Sequence, residues 1–107
     1  MLTHDEILEA ESHIKNAISF VKQKCFDAAI HEYEEAIKIV GIPNSWDEAF
    51  QKQSLFTEVY LLLGELYAVK KKNFSKAISY LDIYRKCRPN DKEANDFYYS
   101  VVKNNSR

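Results

Sequence analysis

The side chains able to do chemistry come first, because their spacing decides which reactions are open. His31 and Glu35 stand four residues apart, the i, i+4 spacing that puts two ligands on one helix face. Two ligands with no Cys or further His nearby fall short of a tetrahedral metal set, so an ordinary surface pair is expected and no metal or other cofactor. Neither Cys25 nor Cys87 has a histidine placed beside it by helical spacing, and there is no G-x-S-x-G and no P-loop. The carboxylates fall where solvated helix faces and N-terminal turns would put them. No enzyme is expected. Lys70 to Lys72, with Arg85, Lys86 and Arg88, form the densest basic region. The lysines sit at an expected turn and the others near a helix C-terminus, whose dipole they complement, so no nucleic-acid binding is expected. His13 is read as a half-buried packing residue.

The elements that must carry these residues follow from composition and pattern. The chain has 107 residues, 46% hydrophobic and 29% charged, which describes one compact domain. Only two Gly and two Pro interrupt it, which disfavours the frequent turns of an all-β fold and points to an all-α one. A net charge of −1 gives no global pull toward nucleic acid or anionic membrane. The longest apolar run, Val59 to Leu63, is far below the ~20 residues of a membrane-spanning helix. MLTHDEILEA has no signal-peptide pattern, and a cytoplasmic protein without membrane insertion is expected. The two cysteines, on distant parts of the helical pattern, are expected to be free thiols.

Five helices are expected, at about 3–24, 27–40, 45–71, 74–87 and 91–104. Thr3 with Glu6 makes a capping box for the first, whose apolar positions Ile7, Ala10, Ile14, Ala17, Ile18 and Val21 recur at steps of three and four. The second carries Ala29, Ile30, Tyr33, Ala36, Ile37 and Val40 and stops at Gly41 and Pro43. Ser45 with Glu48 caps the long third helix, on which Trp46, Phe50, Phe56, Tyr60, Leu63 and Tyr67 lie. Asn73 caps the fourth, which ends before Pro89, and Asn90 with Glu93 caps the last. Gly64 stands inside the third helix, where Gly costs roughly 1 kcal/mol against Ala.

The two hairpins are copies of one pattern. Tyr60, Leu63, Gly64 and Tyr67, followed by Ala77, Leu81 and Pro89, resemble the tetratricopeptide signature W-x2-L-G-x2-Y, A-x3-F, P, with Tyr for Trp and Leu for Phe. His13, Asn16, Ala17 and Phe20, then Ala29, Tyr33 and Gly41, take the corresponding places in the first hairpin. The resemblance implies antiparallel helical hairpins stacked as a short superhelix, and it explains Gly64 as a notch for close helix approach. Two departures stand out. Phe20 to Ala29 is nine residues and Tyr67 to Ala77 is ten, so the second turn has one residue more. From Phe26 to Phe74 is 48 positions rather than the usual 34, with the surplus in residues 42–56.

The resemblance also implies a concave groove. Carried over by position, it is lined by Glu11, Ile14, Ile18 and Val21 of the first helix, Glu58, Leu61, Leu62, Glu65 and Val69 of the third, and Glu93, Asp96, Phe97 and Ser100 of the last. Ile14, Leu61 and Leu62 read equally well as core. Members of the family that clamp a C-terminal carboxylate use Lys, Asn and Arg at positions that here hold Ile14, Ile18, Leu62, Glu93 and Phe97, so that clamp is absent. The implied function is an adaptor or chaperone-like module that holds an apolar or basic amphipathic segment of another protein. The alternative is a self-associating structural subunit. Two repeats make a small core, and Trp46 with Phe50, one turn apart, either pack near Ile39 and Val40 or form a candidate homodimer interface.

Overall fold

The computed structural model describes residues 3–41 and 54–106. The described residues are almost wholly helical and contain no strand. Their contacts group the chain into two compact units, Met1–Ile42 and Pro43–Arg107.

The first unit is a helical hairpin of α1 (His4–Lys22) and α2 (Phe26–Val40). Thr3 starts α1 through the reciprocal capping box read from the sequence: Glu6 N–H donates to Thr3 Oγ1 at 3.1 Å, and Thr3 N–H donates to Glu6 Oε1 at 3.0 Å. Asp5 and Glu6 in the first turn and Lys22 in the last oppose the helix dipole. The chain reverses through Lys24, whose φ of 61° is left-handed, and Cys25 N–H closes the turn on the Phe20 carbonyl at 2.9 Å. Ala10, Ile14 and Ala17 of α1 and Ala29, Ile30, Tyr33 and Ala36 of α2 are buried, so small residues set the spacing of the pair and Ile14, Ile30 and Tyr33 fill it. α2 ends at Gly41, whose φ of 81° suits a residue without Cβ and whose N–H caps the Ile37 carbonyl.

The second unit holds α3 (Ser54–Glu65), which runs on into a π-helical turn over Leu66–Lys70, then α4 (Phe74–Cys87) and α5 (Lys92–Asn105). The expected start of the third helix, with its Ser45–Glu48 cap and the candidate interface Trp46 and Phe50, lies outside the described residues. α4 packs on α3 and on α5. At Gly64 the helices approach closely: a Cβ built there would stand 2.6 Å from both Cγ and Cδ2 of Leu81, itself wholly buried in α4. The glycine is a packing notch. Around it Val59, Tyr60, Leu63, Ala77 and Tyr84 are buried, and the Tyr80 ring contacts Tyr60 and stacks on Tyr67 at 5.8 Å.

Asn73 caps α4, its side chain accepting from Lys76 N–H at 3.2 Å. The cap of α5 differs from the sequence reading by one position. Asp91, not Asn90, takes the role, because one carboxylate oxygen accepts the Ala94 N–H at 3.1 Å while the other accepts the Tyr84 hydroxyl at 2.6 Å. A charged acceptor with a second bond from α4 prevails over the neighbouring amide.

Candidate ligand cleft

A cleft of about 240 Å³ opens between α3 and the first turns of α5. Leu61 and Glu65, one turn apart, supply one wall, and Asp91, Glu93, Ala94 and Phe97 supply the other. The α5 wall is held by polar contacts to α4. Tyr84 is 2% exposed, and its hydroxyl fixes Asp91. The next residue, Arg85, donates from Nε to Asn95 Oδ1 at 2.9 Å and from a terminal nitrogen to the Tyr99 hydroxyl at 3.1 Å. Its guanidinium lies 4.0 Å from the centre of the Tyr98 ring, and Asp82 stands 3.8 Å away. Asn95 also donates to the Pro89 carbonyl at 3.0 Å, tying α5 to the connection before it. These bonds set where Glu93, Ala94 and Phe97 stand relative to α3.

The cleft is mainly polar and negatively charged, with Leu61 and Phe97 as its larger apolar side chains. The hydroxyl of Tyr84, and after it the Ala94 N–H, hold the Asp91 carboxyl below the usual range, so it is ionised at neutral pH. Glu65 is shifted the other way: desolvation raises its carboxyl first, and the like charge of Glu58 raises it further. Three of the six lining residues are acidic and none is basic. Such a cleft can hold an apolar group that carries positive charge.

Four residues of the expected groove, Leu61, Glu65, Glu93 and Phe97, meet here. Asp91 and Ala94 join them without having been anticipated. The sequence signal for Asp91 is an Asp one residue after the expected cap Asn90. Glu58, Leu62, Val69, Asp96 and Ser100 do not line this cleft. Leu62 is half-buried, whereas Val69, Asp96 and Ser100 are exposed. On α1, Ile18 is 41% exposed and Glu11 and Val21 are half-buried, but Ile14 is 2% exposed and belongs to the core. That burial favours the core reading of Ile14, which the sequence left open beside the groove one.

His13 and Glu35 have structural partners. His13 is half-buried, with Nδ1 2.5 Å from Glu32 Oε2 across the α1–α2 pair. Glu35 pairs with Lys38 at 3.0 Å. Among the described residues no group of three or more His, Cys, Asp or Glu could hold a metal ion. Cys25 and Cys87 are free, and burial raises the Cys87 thiol, opposed in part by Arg88. Arg85 stands in the last turn of α4, as expected, and also serves the α4–α5 contact. No helix of the described residues is long and apolar enough to cross a membrane. Comparison of the chain with protein-family models, curated proteins and solved structures finds no match.

Proposed function

We propose that the chain is a non-catalytic protein–protein interaction module, an adaptor or chaperone-like domain of the cytoplasm, which holds a basic amphipathic segment of a partner protein. The observation that carries this reading is the cleft itself, where Leu61, Ala94 and Phe97 offer apolar contact and Glu65, Asp91 and Glu93 offer charge of one sign. Apolar anchors give affinity to a helix laid in a groove, and complementary charge selects among such helices. Two features support a tetratricopeptide-like build. Gly64 packs on Leu81 as the small position of that signature would, and both hairpins turn through a left-handed lysine followed by a cap residue and a phenylalanine.

The test is an amide-resolved NMR titration of the full chain with a basic amphipathic helical peptide and with its charge-reversed counterpart. The basic peptide is expected to shift the amides of Leu61, Glu65, Glu93 and Phe97 saturably, and the acidic one to leave them in place. Equal shifts with both peptides, or none in the cleft with either, would end the proposal.

A further inference from the structure

The size and lining of the cleft narrow what enters it. Sites that enclose a drug-sized molecule run to roughly 300–1,000 Å³. At about 240 Å³ this one is below that range, and it is partly open to solvent, so it suits one long side chain rather than a free ligand. Its walls are of two kinds. Leu61 and Phe97 would cover a methylene stem, while Glu65 and Glu93 lie one helical turn from Leu61 and Phe97 respectively and would meet a charged end. Asp91 is already committed, with one oxygen on the Tyr84 hydroxyl and the other on the Ala94 N–H, so it adds field without needing a new partner. Only arginine and lysine join a long apolar stem to a positive end.

Resting on the function proposed above, we infer that the cleft is a socket for one cationic side chain, arginine or lysine, projecting from the segment the domain holds. The aliphatic stem lies along Leu61, the Phe97 ring offers its face to the cation, and the carboxylates of Glu65 and Glu93 receive the charge. The Glu65 carboxyl is raised first by desolvation and then by Glu58, and a cation entering the cleft would offset both. Arginine is the better occupant, since its guanidinium is less strongly hydrated and stacks on aromatic rings.

The probe is one amphipathic peptide with an otherwise neutral polar face, made with arginine, lysine, citrulline or norleucine at a single central position. Citrulline keeps the shape of arginine without its charge, and norleucine keeps the methylene stem of lysine without its ammonium group. Titrated into the full chain, the arginine peptide is expected to bind about tenfold tighter than the citrulline peptide, which is ~1.4 kcal/mol. The lysine peptide should likewise exceed the norleucine one. With Glu65→Gln and Glu93→Gln together, arginine and citrulline should bind within about twofold of each other. Both substitutions are at exposed positions, and retention of the helical circular dichroism spectrum confirms that the variant is folded. If all four peptides bind the cleft equally, the socket is refuted while an apolar groove survives. If the charge preference is intact in the double variant, the carboxylates are not its source and the socket is refuted. If no peptide shifts the cleft residues, both the socket and the interaction module fall.

Discussion

Replacing Gly64 by Ala sets two effects of known sign against each other. In an open helix the change should stabilise the protein by roughly 1 kcal/mol, the difference in intrinsic propensity. In this helix the new methyl would stand 2.6 Å from Cγ and Cδ2 of Leu81, well inside the 3.4 Å at which ordinary van der Waals contact begins. Leu81 cannot swing into solvent because it is wholly buried, and Cγ moves only if the side chain or all of α4 shifts. Overpacking of this kind costs about 1–3 kcal/mol, so a net loss of about 1 kcal/mol is expected after the propensity gain. Urea unfolding followed by circular dichroism reads this as a lower midpoint. A double-mutant cycle isolates the contact. Leu81→Ala alone should cost ~2–5 kcal/mol through the cavity it leaves. In that background Gly64→Ala should become stabilising, because the methyl now enters space that Leu81 vacated, giving a coupling of about 1–2 kcal/mol. If Gly64→Ala raises stability in the unaltered protein, the close approach of α3 and α4 does not require a glycine and the notch argument fails.

Other perturbations test the cleft and its supports. Tyr84→Phe removes the largest cause of the depressed Asp91 carboxyl. A depressed carboxyl contributes stability that is present above its unfolded value of about 3.9 and is lost as pH falls through the folded value. The variant should therefore lose about 1 kcal/mol at neutral pH, and its acid unfolding should begin at higher pH, as pH-dependent denaturant midpoints would record. Unchanged acid limbs would mean that the Tyr84–Asp91 bond adds no net stability. Glu65→Gln should leave stability equal or slightly raised at neutral pH, because the native carboxyl is disfavoured there by desolvation and by Glu58. A clear drop in melting temperature would show that Glu65 has a supporting partner. With a thiol reagent under native conditions, Cys25 should be labelled before Cys87, since the first is exposed and burial raises the second. Peptide mapping that finds Cys87 modified first would contradict this.

The parts of the molecule that were legible in its sequence are those set by near neighbours. Thr3 with Glu6 and Asn73 with Lys76 are contacts over three residues, and each side chain caps as its type and position require. The misplacement of the last cap shows the limit of that reasoning: Asn90 and Asp91 are both good caps, and a hydroxyl arriving from Tyr84 on another helix decides between them. Leu61, Glu65, Glu93 and Phe97 line one cleft, a meeting of separate helices that no local pattern contains. Helical period alone gives a stripe and leaves its target open, which is why Ile14 and Ile18 read alike although one is buried and the other is 41% exposed. Pairings between helices, such as His13 with Glu32 and Arg85 with Tyr98, carry no local pattern at all.

The extra residue in the second turn has a specific physical resolution. In the first hairpin Cys25 N–H reaches the Phe20 carbonyl at 2.9 Å; in the second Asn73 N–H reaches the Tyr67 carbonyl at the same distance, across one residue more. Phe20 and Tyr67 are matching positions of the repeated pattern, and so are Cys25 and Asn73. Lys24 and Lys72 adopt left-handed φ of 61° and 54° immediately before these caps. Both turns thus share their exit geometry and their closing bond. The surplus is taken up on the entry side, where Leu66–Lys70 widen into a π-helical turn and Lys71 N–H bonds to the Leu66 carbonyl, five residues back, at 3.1 Å. An insertion placed beyond the lysine would have moved Phe74 and the α4 register past Gly64. Absorbed in the last turn of the preceding helix, it leaves Leu81 opposite the glycine. Because α4 also fixes Asp91 through Tyr84, the same adjustment keeps the α5 wall of the cleft in register with Leu61 and Glu65.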